Sequence, residues 1–169
     1  MARFSTGHFA LTLSPTGILA GAKSVGEIYN GAVIDVYSGV MPADPDAALS
    51  GQTKIGSITE FVSGTSTGGI TFGEPIITGT GSGKQAALSK PALTLWAVIA
   101  GTLSSSTTAN WARLRLASDS AGSSSSVLPR IDMSVSDATG SGDLKLSVVN
   151  FTTGVEAQVA GFAYTQLGS

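Results

Sequence analysis

Two stretches, Trp111-Ala112-Arg113-Leu114-Arg115-Leu116 and Arg130-Ile131-Asp132-Met133-Ser134-Val135, decide the fold class. In the first, Ala112, Leu114 and Leu116 fall on one side, and Trp111, Arg113 and Arg115 on the other. In the second, Ile131, Met133 and Val135 alternate with Asp132 and Ser134. A period of two marks a strand with one face on a core and one turned away from it. Residues 143–149 repeat the pattern, with Leu144, Leu146 and Val148 against Lys145 and Ser147, and are read as a third antiparallel strand.

Working outward, residues 32–38 are rich in β-branched and aromatic side chains and stop at Gly39. Residues 54–62 alternate with a slip between Ile55 and Ile58 across Gly56, the signature of a bulge. The apolar run 92–100 reads as a fully buried strand. Residues 155–166 start with Val155, Ala157 and Val159 inward and change phase at Gly161, which turns Phe162 and Tyr164 inward. Pro42, Asp44, Pro45 and Asp46 mark a loop, because proline fixes φ and aspartate forms Asx-turns. The Ser/Gly tract 118–126 reads as a long flexible loop. Short strands without interleaved helices predict an all-β chain, an antiparallel sandwich of jelly-roll type with about eight strands.

The N-terminal end differs. In residues 1–23, Gly7, Pro15, Gly17 and Gly21 interrupt the apolar positions, so an extended arm is expected, with a strand near residues 9–13 as an option. Ser24-Val25-Gly26-Glu27 has the spacing of a capping box. It opens one short helix, which Asn30-Gly31 ends. Residues 24–169 then form a single domain.

Composition narrows the chemistry. The 169 residues include no cysteine and one histidine, and 12% are charged. Disulfides and thiolate metal sites are therefore excluded. With a net charge of −2 there is no basic field for phosphates, and no nucleic-acid partner is expected. No apolar run approaches the roughly 20 residues of a spanning helix, so no membrane partner is expected. Ser14, Pro15 and Thr16 interrupt the apolar N-terminal stretch, which argues against a signal peptide.

Few groups offer catalysis. Gly79-Thr80-Gly81-Ser82-Gly83-Lys84 misses the phosphate-loop spacing and has Gln85 where Ser or Thr belongs. Asp137 and Asp143 bracket a glycine-rich segment that reads as a hairpin loop, since calcium needs six to eight oxygens. Glu60 and Glu74 have nothing to fix their separation as a glycosidase pair. His8, the only imidazole, reads as a contact residue of the arm beside Phe4 and Phe9. No catalytic, cofactor-binding or metal-binding residue is assigned, and no enzyme is expected. Trp111, Arg113 and Arg115 share a strand face and have two readings. They form an interface hot spot, where Trp and Arg are enriched, or they pair across strands with Asp132 or another acid. The interface candidates are Phe4, His8, Phe9, Trp111, Arg113 and Arg115.

Several segments resemble a family of small virion structural proteins of tailed bacteriophages. They are Arg3-Phe4-Ser5-Thr6-Gly7, Asn30-Gly31 leading into Ile34-Asp35-Val36-Tyr37-Ser38-Gly39, and Pro42-Ala43-Asp44. Further on come Phe72-Gly73 with Pro75, Leu88-Ser89-Lys90, Asn110-Trp111-Ala112-Arg113-Leu114 and Pro129-Arg130-Ile131-Asp132. The resemblance implies a β-sandwich building block of the particle. It leads us to expect a homo-oligomer, a trimer, that binds the major capsid protein or other virion proteins at the capsid surface. A place in the tail, neck or fibre base is the alternative within the virion. A carbohydrate- or receptor-binding sandwich using Trp96 and Trp111 is the alternative outside it.

Overall fold

The computed structural model describes residues 2–13, 25–62, 65–73, 76–78, 85–88, 91, 95–120, 122–162 and 164–167. The fold is all-β, with two short helices among the described residues. In order it runs β1 (Arg3–Phe4), α1 (Thr6–Leu13), α2 (Val25–Ile28), β2 (Val33–Ser38), β3 (Thr53–Val62), β4 (Thr65–Gly68), β5 (Ile76–Thr78) and β6 (Gln85–Leu88). There follow β7 (Leu95–Ile99), β8 (Thr107–Thr108), β9 (Trp111–Arg115), β10 (Arg130–Asp137), β11 (Leu144–Leu146), β12 (Asn150–Phe151), β13 (Glu156–Phe162) and β14 (Tyr164–Leu167).

Seven strands close on themselves in the order β10-β9-β2-β3-β7-β13-β11 and back to β10. This is a barrel, not the open two-layer jelly roll expected from strand count and spacing. Alternation reports that one face of each strand is buried. It does not report whether the last strand returns to the first. Closure comes from β11, which pairs with β10 in parallel through Val135↔Leu144, Ser136↔Lys145 and Asp137↔Leu146. The expected hairpin between residues 137 and 143 is therefore a return loop. It doubles back against the end of β10, and a Cβ on Gly142 would sit 2.6 Å from the Ser136 amide nitrogen.

The inward alternation predicted for β9 and β10 and for Leu144 and Leu146 is present. The strand expected over 143–149 ends at Leu146 with Val148 exposed, and the run expected to be fully buried leaves Ile99 exposed. Leu114 lies opposite Ile34 and Ile131, and Ala112 opposite Val36 and Met133. Val98 lies between Ile58 and Ala157. These side chains are 0–1% exposed and form one core with Trp96, Leu144 and Leu146. The expected bulge at Gly56 is present: Val36 pairs with Gly56 and Tyr37 with Lys54, leaving Ile55 as the extra residue. The expected phase change in β13 is also a bulge. Leu146 pairs with Val159 and Lys145 with Gly161, which turns Phe162 towards the core. Away from the barrel, β8 pairs with β12, and β5, β6 and β14 form a three-stranded sheet.

The N-terminal segment corrects the expectation of an extended arm. β1 pairs with β10 through Arg3↔Asp132 and Phe4↔Ile131, and the next eight residues are helical. Ser5 is the cap that makes the helix start there. Its Oγ accepts hydrogen bonds from the His8 amide (3.1 Å) and the Arg130 amide (2.7 Å), and donates to the Leu128 carbonyl (3.1 Å). One hydroxyl proton and both lone pairs are thus used. Gly7, read from sequence as a helix breaker, is required inside the helix, because a Cβ there would come within 2.6 Å of the Leu128 backbone. Ser5→Ala leaves two buried amides without a partner, so it should destabilise the fold by roughly 1–3 kcal/mol. Urea titration of the two proteins measures this directly.

α2 occupies the position expected for the short helix; Ser24 of the capping box lies outside the described residues. So do the Gly79–Lys84 segment and Glu74. Among the described residues, no helix is long and apolar enough to cross a membrane.

Candidate functional site

The densest polar constellation lies on the outer face of β10, β9, β2 and β3. Arg113 on β9 stands opposite Asp132 on β10 and Asp35 on β2. It takes Asp132 in a two-pronged pair, Nε to Oδ1 at 2.7 Å and Nη2 to Oδ2 at 2.8 Å. Neither side chain is exposed. Arg115 stands opposite Arg130, an arrangement that would repel. Asp119, in the turn after β9, resolves it. Its carboxylate takes Arg130 Nε at 2.6 Å and Nη2 at 2.7 Å, and its carbonyl accepts Arg115 Nη1 at 2.6 Å. Asp35 gathers Arg115 Nε at 2.7 Å, Ser57 Oγ at 2.6 Å and Lys54 Nζ at 2.9 Å. Burial alone would raise the Asp35 carboxyl, but these donors hold it below the ordinary carboxylate range. Burial raises Asp132 above that range against the pull of Arg113.

Aromatic rings close the ladder at one end. Tyr37 stacks on Trp111 with centroids 4.5 Å apart, and Arg113 lies 5.6 Å from the Trp111 ring centre. Burial, followed by the charge of Asp35, pushes the Tyr37 hydroxyl pKa up.

An outer barrel face is ordinarily wet. Here three segments lie against it: β1 with α1 at the β10 edge, residues 39–52, and residues 116–120 with 122–129. They are tied to one another as well as to the barrel. The Thr6 amide donates to the Asp46 carboxylate and Arg3 to the Pro42 carbonyl. The Leu49 amide donates to Gly122, and the Ser125 amide to Asp46. Tract 118–126, expected to be a flexible loop, is a pinned part of this cap. Gly122 and Ser125 bond to Leu49 and Asp46, and Asp119 anchors the tract to β10.

The six interface candidates separate accordingly. Trp111 and Arg113 are 1% and 0% exposed and are engaged within the chain, as cross-strand pairing required. The Arg115 side chain is 11% exposed. His8 is buried, with Nδ1 3.1 Å from the Tyr29 hydroxyl and its ring stacked on Tyr29. Burial lowers its pKa to about 4. Phe4 is half-buried beside it, with centroids 4.9 Å apart. Phe9 is 49% exposed, and Val40 and Val127 on the other two cap segments are more exposed still. Among the described residues the cap thus carries three of the five exposed large apolar side chains; Ile99 on β7 and Val148 before β12 are the other two.

The remaining sequence candidates are accounted for locally. Asp137 accepts from the Thr139 hydroxyl and from the Thr139 and Gly140 amides, which hold its carboxyl below the ordinary range. Asp143 accepts from the Ser134 amide and hydroxyl. Glu60 accepts from the Thr71 amide and hydroxyl. Among the described residues no three His, Cys, Asp or Glu side chains group as metal ligands. Trp96 is fully buried, so neither indole presents a ring face on which a sugar could stack. Sequence reasoning missed Ser5, Asp35, Asp119 and Arg130. Asp35 and Arg130 become partners only once strand register is known, and Asp119 is hidden in a low-complexity tract.

No family model, curated protein or solved structure matches this chain.

Proposed function

We propose that this chain is a structural protein of a tailed-bacteriophage virion, a head decoration protein that bridges capsid subunits as a homo-oligomer. The observation that carries the reading is the division of labour between the two faces of the ladder. Arg113 and Asp132 neutralise each other across β9 and β10, and Arg115 and Arg130 hold the cap through Asp119 and Pro45, while the cap turns Phe9, Val40 and Val127 outward. A surface made this way adheres through apolar area and backbone groups. Adhesion of that kind suits a component that adds buried area across the seams between capsid subunits.

The test is location. Labelled antibody and cryo-electron microscopy of intact particles should find the chain in many copies spread over the head. A single ring at the tail or neck would move the protein within the virion. Absence from every assembled particle would overturn the proposal.

A further inference from the structure

We propose that the β1–α1 segment is the joint between copies: in the oligomer it occupies the β10 edge of a neighbouring copy instead of its own. This deepens the reading above and rests on its homo-oligomer. Four features carry it. The barrel is complete without β1, because closure runs through β11 at residues 135–137, while β1 takes only Asp132 and Ile131 on that same edge. The acceptor is thus a finished body with a short slot. The segment has internal order, since Ser5 caps its own helix and His8, Phe4 and Phe9 cluster on each other, and His8 also inserts against Tyr29 of the acceptor. Its anchoring bonds all go to residues beyond the 14–24 stretch: Tyr29, Pro42, Asp46, Leu128 and Arg130. Those bonds are the same whether the acceptor belongs to the same chain or to another, so exchange leaves the contact energies nearly unchanged. Finally, eleven residues separate Leu13 from Val25, with Pro15, Gly17 and Gly21 among them. That length spans at most about 40 Å, enough to reach an adjacent barrel.

Exchange also answers what fills the slot during assembly. An empty slot leaves the Arg130 amide and Ile131 without cover, and a filled one presents nothing to bind. A segment supplied by each copy to the next keeps every slot occupied while linking the copies.

The chain has no cysteine, so engineered thiols report unambiguously. Phe4 and Ile131 are direct cross-strand partners, at a separation a disulfide accepts. F4C and I131C are made as separate full-length proteins, mixed in denaturant, refolded together and oxidised. Exchange predicts a heterodimer on non-reducing gels, with the 4–131 bond located by peptide mass, together with an oligomer by light scattering. If I131C does not refold, T6C and D46C with a short bismaleimide replace the pair, since Thr6 is exposed and Asp46 half-buried. Oligomers that give the 4–131 bond only within single chains of the F4C/I131C double variant overturn exchange and leave the virion reading standing. A monomer at all concentrations overturns exchange and the homo-oligomer together. A chain that exchanges in solution yet is missing from particles overturns the virion reading alone.

Discussion

Arg113→Met is expected to lower the unfolding free energy by about 3–5 kcal/mol, seen as a fall in urea midpoint with unchanged slope. The side chain removed is fully buried, and its loss strands Asp132, also fully buried, without its two donors. An ionised carboxylate cannot stay there unpaired, so the protein must protonate it, admit water or unfold. The pair itself is worth far less than this cost. Dehydrating both ions offsets most of their attraction, and the upward pull of burial on Asp132 expresses that dehydration. The double variant R113M/D132L should therefore recover most of the loss. Full recovery is not expected, because the guanidinium also lies over Trp111, a contact worth about 1–2 kcal/mol when desolvated. A loss below about 1 kcal/mol in R113M would contradict the burial of the pair.

Acidification should loosen the cap through His8. An unfolded histidine titrates near 6.5, whereas folded His8 titrates at about 4. Between those values the unfolded chain binds a proton that the folded chain refuses, so stability falls as pH drops from 6.5 towards 4. Above 6.5 both states are neutral and His8 adds no slope; below 4 both are charged and its slope vanishes again. Fully developed, the loss is about 3 kcal/mol. The cause is geometric: the ring is enclosed by Phe4, Phe9 and Tyr29, where a charge would be poorly solvated. Asp35, Asp137 and Asp143, with lowered pKa values, also lose stabilisation on acidification, in the carboxylate range. The readout is therefore a comparison of wild type with H8F between pH 4 and 6.5. The wild-type stability curve should be the steeper, and parallel curves would refute the assignment.

What was legible in the sequence follows from range. Inward alternation and both bulges are written locally, in the parity of Ile55 and Ile58 and of Val159 and Phe162. Barrel closure is not local. It depends on a three-residue parallel seam whose partner, Leu144, carries the same alternation an edge strand would. The helix at Thr6–Leu13 was obscured by Gly7, which is a poor helix former chosen for its fit against Leu128. Its start was nonetheless written in Ser5. The ladder was half legible. The sequence aligns Trp111, Arg113 and Arg115 on one face and names Asp132 as a possible partner. The sequestration of that face depends on loops whose Ser, Gly and Pro content signals only turns.

The pairing of Arg3 with Asp132 bears on how the polypeptide matures on the ribosome. β1 finds its partner only after the 128 residues between Arg3 and Asp132 have emerged, and contacts of such long range slow folding. At about 5–20 residues per second, translation leaves β1 waiting from several seconds to nearly half a minute. During that interval Ser5 lacks the Leu128 and Arg130 groups it bonds to, and neighbouring nascent chains could supply them first. Crowded polysomes would then favour association at birth over later encounter between finished molecules.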